Sequence, residues 1–360
     1  MNHIRIEKKR LVDFCTEAFK ACGVDQEDAV ICSEVLVEAD IRGIPSHGVA
    51  RLKRYLSGLK EGLMLTGGSY RVMKESPVSI LVDAEGGLGA PVSYKIMSQI
   101  LDKAETSGMA FGLVSNSNHY GIAGYYAMMA LERDMIGISM TNTAALGVPT
   151  YARQVMFGTN PLAFAAPADR ERAFVLDMST TVVTRGKIEV YNRESKDLES
   201  GWAVDKNGRT STDAESLLQD MFYRRGGGIV PLGGESEQLG GHKGFGLAVM
   251  VDIMTGVLSG SNFGAHIYDE GESSARVSHC FGAMKIDLFM DPLLFRKNMD
   301  QMLSELRTMD PREGQKQVYF AGLKEFLAEE NSLTKGVPLS TQVWDDLKKI
   351  ALEYNLEFSF

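Results

Sequence analysis

Apolar residues recur at helical spacing over residues 6–22 and stop at Gly23. The pattern returns over residues 26–42 behind Asp25, a good N-cap type. A third helix is expected from Ser46 through VARLKRYLSGLKEG, so roughly the first 65 residues read as helical. The texture changes near residue 77. PVSILVDAE reads as a strand, a helix is expected from Pro91, and MAFGLVSNS is a second strand followed by a helix over 120–133. MIGISMTNT, NPLAFAAP and AFVLDMS are short apolar runs between turn signals, as strands are. A helix is expected over 179–192, and residues 193–240 are loop-rich. An apolar helix follows over 244–260, then the strand HCFGAMKIDLFM, the helix DPLLFRKNMDQMLSELRTM and two short helices. The pattern describes a central α/β body over 77–290. Helical segments at 1–76 and 291–360 flank it and are expected to pack together.

Charge narrows the classes of function. Lys plus Arg number 38 and Asp plus Glu 47, a net charge of −9 with no dominant basic stretch. That excludes a nucleic-acid binder and a protein drawn to an anionic membrane surface. Residues 106–131 hold no Asp, Glu, Lys or Arg. Their centre, Ser115 to Tyr120, would still place a row of polar groups in hydrocarbon, so a membrane span is not expected. The N-terminal MNHIRIEKKRLVDF lacks an apolar stretch after its basic residues, unlike a signal peptide. The four cysteines, Cys15, Cys22, Cys32 and Cys280, form no CxxC pair, so neither a disulfide framework nor a metal site is expected. A cytoplasmic protein with free thiols fits these features. Glycine is high at 37 residues while proline is only 10, which suggests backbone held close to a ligand.

Several residues could carry chemistry. His47 and Arg51 lie four apart on one helix face, with Tyr55 a turn further on. Arginine is the preferred bidentate partner of a carboxylate, and a neighbouring histidine could bond a hydroxyl or keto oxygen. A solvated helix start is the plain alternative. His119 follows a strand, with Asn118 as the expected N-cap. A helix N-terminus disfavours imidazolium and leaves a neutral base; a capping histidine is the alternative. Asp177 ends an apolar strand, where it could orient a ring or accept from ribose hydroxyls. Gly240 to Gly246 open an apolar helix with Lys243 among them, an anion-binding pattern or simply a tight entry turn. Gly87 and Gly89 mimic a dinucleotide turn, but Val92 stands where its third glycine would be needed, which argues against a Rossmann site.

SHGVARL (46–52), SNHYGIAGYY (117–126), GTNPLAFAAP (158–167), LDMSTT (176–181) and GGHKGFGLAVMVDIMTGVLSG (240–260) occur in this order. The set resembles the malate/L-lactate dehydrogenase family, which is unrelated to the Rossmann-type enzymes. Its relatives include sulfolactate and ureidoglycolate dehydrogenases, a diketogulonate reductase and a reductase of cyclic imino acids. The resemblance covers nearly the whole chain. It implies an α/β fold whose central, mostly antiparallel sheet binds NAD, with NADP as the alternative, and a homodimer with its site between domains.

The resemblance also implies roles. His119 and His47 match histidines assigned to proton transfer in two branches of the family. Arg51 matches the arginine that holds the substrate carboxylate, with Ser46, Thr159 and Asn160 as helping polar groups. Thr143, Leu176, Asp177, Met178, Ser179, Thr180, Lys243 and Gly244 match positions that contact the nucleotide. Ala321-Gly322-Leu323 stands where the family often has Pro-Gly. Arg185 and Arg153 are candidates for a second substrate carboxylate from their position near the motifs. Residues 266–276 carry no legible motif. The expected activity is NAD(P)-dependent interconversion of a 2-hydroxy acid, malate or lactate in type, and its 2-oxo acid. The alternatives are an NADPH-dependent reductase of another oxo or cyclic imino acid, and a nucleotide-binding protein without catalysis.

Overall fold

The structure is a computed structural model that describes residues 4–267 and 276–360. The motif-free stretch at 266–276 therefore lies largely outside the described residues. The chain begins with β1 (Ile4–Ile6), α1 (Lys8–Ala21), α2 (Gln26–Ile41) and α3 (Leu52–Lys60). It continues with β2 (Arg71–Ser76), β3 (Ser79–Asp83), α4 (Gly89–Ser107), β4 (Met109–Ser117) and α5 (Ala123–Met129). Next come β5 (Met135–Thr141), β6 (Leu162–Ala166), β7 (Phe174–Met178) and α6 (Arg185–Arg193). A small unit follows, made of β8 (Ala203–Val204), α7 (Ala214–Phe222) and β9 (Gly228–Ile229). Then come α8 (Gly241–Asp252) and β10 (Val277–Lys285). The chain closes with α9 (Pro292–Thr308), α10 (Leu323–Lys335), β11 (Val337–Leu339) and α11 (Thr341–Tyr354).

The helical ends do pack together. Leu11, Phe14, Phe19, Leu36, Leu52 and Leu56 share one core with Leu347 and Ile350 of α11. The short antiparallel pair of β1 with β11 ties the two ends of the chain. Asp25 caps α2 as its residue type suggested, accepting the Asp28 N–H at 2.9 Å.

The central sheet has seven strands in the order β2-β3-β4-β10-β5-β6-β7. Only β3 and β4 run parallel, so the sheet is mostly antiparallel as expected. Helices α4 and α5 cover one face through Ile96, Ile100, Tyr126 and Phe281. On α8 the expected single helix over 244–260 is broken by a π-helical turn at Ile253–Val257. Strand β2 pairs with β3, although Arg71 to Ser76 is a polar, mostly exposed segment with no apolar alternation to mark it. Helix α9 packs Met299 and Leu303 onto Ala166, Phe164 and Phe174 of the sheet. Strand β2 and helix α9 thus both rest on the central sheet, and part of the loop-rich stretch holds its own small core around Ile188, Leu198 and Ile229.

Candidate active site

The turn from Ile44 to Arg51 is not a helix start capped by Ser46. Gly48 precedes a short 3-10 turn at Val49–Arg51, and α3 begins only at Leu52. The cap comes from α2 instead: Asp40 Oδ2 accepts the Val49 N–H at 2.7 Å. Gly48 lies directly on that carboxyl, where any Cβ would overlap it. Asp40 is buried, and desolvation pushes its carboxyl up to about 7, against the opposing Val49 hydrogen bond. This anchor releases Ser46 for another task. Its hydroxyl lies 2.9 Å from His47 Nδ1, and Arg51 Nε donates to Ser46 O at 2.7 Å. Three neighbouring candidates are thus tied into one turn.

The Asp40 shift gives a stability prediction. A raised carboxyl pKa means the folded state holds the proton more tightly, so the contribution is complete at acidic pH and is lost as pH rises through about 7. Thermal melts of the wild type should fall from about pH 4 to about pH 7 and level off above that, and Asp40→Asn should flatten that slope, the difference reaching a few kcal/mol. Parallel slopes for the two proteins would contradict the assignment.

His119 also differs from expectation. Helix α5 starts only at Ala123, and Asn118 does not cap it. Asn118 is buried and its amide donates to Gly86 O and Gly87 O at 2.8 and 2.9 Å. Gly89, which only mimics a dinucleotide turn, opens α4 against the carbonyls of Asn118 and His119, and a Cβ there would displace them. The His119 ring is held well below the usual imidazole range. Burial is the main cause, reinforced by the neighbouring His47 and by the positive charges of Arg51 and Arg54, so the helix dipole is not needed.

The two histidines meet although 72 positions separate them (119 − 47). Their rings stack at 5.5 Å between centroids and 24° between planes. Tyr55 OH lies 2.6 Å from His119 Nδ1, and the Gly121 N–H donates to the same nitrogen at 3.2 Å. Burial and the neighbouring Arg51 lower His47 to about 4, so both rings are neutral at working pH. Each Nδ1 is engaged. Among the described residues no hydrogen bond holds either Nε2, and both rings are half-buried. A substrate oxygen that reached this pair would meet neutral imidazole beside a guanidinium.

A cleft of about 370 Å³ is lined by Arg42, Ile44, Ile122, Gly124, Leu176, Asp177, Ala321 and Gly322 among others, two of them close in sequence to the histidines. Ile44 leads into the His47 turn and Ile122 follows the His119 turn. Asp177 Oδ2 accepts the Gly124 N–H at 2.7 Å. Asp177 is exposed, yet desolvation of its carboxyl pushes it up to about 6, against the Gly124 hydrogen bond. Gly322, in the left-handed region at φ +92°, turns the chain into α10, whose start lies beside the cleft with the Leu323 N–H bonded to Phe320 O at 3.2 Å. Arg42 is buried there. It pairs with Glu329 at 3.0 Å and lies 4.6 Å over the Phe326 ring. Neither Asp40 nor Arg42 had a motif to mark it in the sequence.

Other candidates fall elsewhere. Asn160, expected to help hold substrate, is fully buried. Its amide donates to Ala248 O at 2.9 Å and accepts from the Thr143 N–H at 3.3 Å, so it shapes the loop. Thr180, expected at the nucleotide, is fully buried and donates to Thr159 O and Asn160 O. Thr143 Oγ1 in turn accepts from the Thr159 N–H at 3.0 Å. Leu323 belongs to the core under α9 rather than to the cleft wall. Met178 and Ser179 are half-buried, and Ser179 donates to Thr181 O. Lys243 and Gly244 open α8, where Gly244 packs on the Leu232 backbone, and the Leu232 N–H donates to Thr180 O. Arg185 is paired with Glu189 one turn along its own helix, at 2.9 Å. Arg153 is exposed, and its carbonyl accepts the Gly227 N–H beside the small unit. His279, not singled out in the sequence, is fully buried between Thr141 and Ser117 hydroxyls at 2.8 and 3.0 Å and stacks on Tyr120; it is structural, with burial lowering it to about 3.

The sequence profile of the malate/L-lactate dehydrogenase family matches residues 6–348. The chain belongs to this family. It is 41% identical over 356 residues to a malate dehydrogenase of Pyrococcus horikoshii, spanning 99% of this chain and 97% of that one. It is 34% identical to a malate/(S)-sulfolactate dehydrogenase of Methanothermus fervidus, over 94% of this chain and 95% of that one. The crystal structure of malate dehydrogenase from Entamoeba histolytica superposes with a TM-score of 0.95 at 31% identity, over the full length of both chains. Other relatives are named as sulfolactate and ureidoglycolate dehydrogenases, the latter with NAD(+), so hydroxy-acid dehydrogenase activity with a nicotinamide cofactor is what the family supports.

Proposed function

We propose that the protein interconverts an (S)-2-hydroxy acid and its 2-oxo acid with NAD or NADP, malate/oxaloacetate or a lactate-type pair being the substrates. One observation carries this: two neutral histidines stack on each other, each with Nδ1 engaged and Nε2 without a hydrogen bond among the described residues, and Arg51 lies in the turn that carries His47. Arg51 fixes the C1 carboxylate through its fork. His119 takes the hydroxyl proton. His47, with Nδ1 on Ser46, hydrogen-bonds the same oxygen, so charge developing there meets a donor already in place. Bound cofactor supplies the hydride acceptor.

The cleft suits a dinucleotide. Asp177 has a carboxyl suited to ribose hydroxyls, and the N-terminus of α10 with Lys324 suits a diphosphate. Leu176, Ala321 and Gly322 line the same wall. Thr143, Met178, Ser179, Lys243 and Gly244 would act from the adjoining segments. Arg185 serves a second carboxylate only if it leaves Glu189. We further propose a homodimer. Val249, Met250, Ile253, Val257 and Leu258 form an exposed apolar stripe on α8 and its π turn, the kind of surface that a second copy would cover.

The test is a panel of malate, lactate, sulfolactate and ureidoglycolate, with their oxo acids and a cyclic imino acid, run with both cofactors. Turnover of a 2-hydroxy acid is expected. Turnover of the imino acid alone would replace the substrate class, and cofactor binding with no turnover would sink the enzyme assignment.

A further inference from the structure

His119 Nδ1 faces two neighbours, and they are not equivalent. The Gly121 backbone N–H, at 3.2 Å, can only donate. The Tyr55 hydroxyl, at 2.6 Å, can donate or accept. As found, Nδ1 accepts from Gly121, so the neutral ring carries its proton on Nε2. A ring in that form has no lone pair on the open side and cannot take a proton from an alcohol. To act as the base His119 must carry its proton on Nδ1, and that proton then needs an acceptor. Gly121 cannot provide one. Tyr55 can, because its own proton has another place to go: His119 O lies 3.4 Å from the same hydroxyl.

We infer that Tyr55 is a positioning residue whose hydroxyl turns between two roles and thereby sets which nitrogen of His119 reacts. In one setting Tyr55 donates to Nδ1, and Nε2–H is a donor suited to a keto oxygen. In the other Tyr55 accepts from Nδ1–H and donates to His119 O, and Nε2 is a free base suited to an alcohol. When the alcohol proton moves, its O–H bond breaks and an Nε2–H bond forms. The resulting imidazolium keeps Nδ1–H on Tyr55, and loss of either ring proton returns one of the neutral forms. This inference rests on the proposed function for its substrate, but the device itself is a property of the free protein.

The site is built to keep the hydroxyl in place. Tyr55 is buried on α3, packs edge-on against Phe19 at 6.1 Å, and stands over the His119 ring at 6.0 Å. The charged and titratable groups facing the pair come from several elements. His47, Arg51 and Arg54 lie on the same segment, His279 on β10 and Cys32 on α2. The three cationic or basic groups of the α3 segment disfavour imidazolium, which makes an acceptor at Nδ1 more necessary.

The test is Tyr55→Phe, which keeps the ring packed on Phe19 and removes only the hydroxyl. With Tyr55 gone, Nδ1–H of the imidazolium has no acceptor and faces the Gly121 N–H. The His119 titration, followed by nitrogen NMR of histidine-labelled protein, should move down by about one unit. The neutral ring should stay protonated on Nε2. The acid limb of kcat/KM should move down with it, and kcat should fall roughly ten-fold, the equivalent of one lost hydrogen bond of about 1.4 kcal/mol. His279 resonances should be unchanged, which reports an intact fold. An upward or absent shift of His119 overturns the inference, because Tyr55 would then act as a donor only or as packing. If the wild type turned over no 2-hydroxy acid, the function would fail while the NMR titration still decided the role of Tyr55.

Discussion

His119→Ala should lose roughly 10²–10⁴-fold of turnover, the usual contribution of a positioned acid or base, with binding of reduced cofactor unchanged. The separation of the two effects follows from the layout. The cleft residues Asp177, Ala321 and Gly322 do not bond the imidazole, and Asn118 anchors the His119 segment by its own side chain to Gly86 O and Gly87 O. Removing the ring should therefore leave the backbone and the cleft in place. Stopped-flow turnover and fluorescence titration of the reduced cofactor measure the two quantities. Retained turnover in His119→Ala, together with its loss in His47→Ala, would exchange the roles of the two rings. Both orders are chemically reasonable because the two rings stack on each other and neither Nε2 is hydrogen-bonded among the described residues.

Arg51→Lys should raise KM for the acid and lower kcat/KM by about 10–100-fold, the loss of one charge-assisted hydrogen bond worth about 1.5–3 kcal/mol. Lysine keeps the charge but not the planar fork. It also cannot reproduce the Arg51 Nε bond to Ser46 O, which helps to hold the hydroxyl that orients His47. An increase in KM with kcat nearly constant would mark loss of ground-state and transition-state binding alike. A simultaneous drop in kcat would report that the His47 turn had moved. An unchanged KM for the acid would remove Arg51 from the carboxylate site.

Much of the fold was legible because apolar periodicity and punctuation agreed. Strand β4 has the expected bounds, Met109 to Ser117, because an apolar run starts directly after Gly108 and runs into a polar turn. Helix α2 begins behind Asp25 because that side chain does cap it. Failures came where a local signal had a tertiary explanation. Arg71 to Ser76 reads as solvated loop, and only pairing with β3 makes it a strand. Ser46 and Asn118 are both good cap types, yet each bonds elsewhere: Ser46 to the His47 ring, Asn118 to the carbonyls of Gly86 and Gly87. Gly121, at φ +89°, interrupts the helix expected from residue 120.

The candidate site was legible as segments and not as contacts. The motifs named His47, Arg51, His119 and Asp177. What they could not supply was the partner of each. Asp40 is hidden in the regular pattern of α2, and Arg42 at its end reads as an ordinary C-terminal cation. The Tyr55 contact to His119 spans 64 positions. Conversely Asn160 and Thr180, which lie in the strongest motifs, are fully buried. A motif residue can persist in the sequence because it shapes the loop that carries the site.

The most direct test of the central claim is isotope transfer from the reacting carbon. The enzyme is mixed with oxidised cofactor and (S)-malate, or the best hydroxy acid of the panel, deuterated at C2, and the reduced cofactor is weighed by mass spectrometry. The account predicts one deuterium in every reduced cofactor molecule, with the 2-oxo acid formed in equal amount. Unlabelled reduced cofactor, or no reduced cofactor with any hydroxy acid, would contradict it.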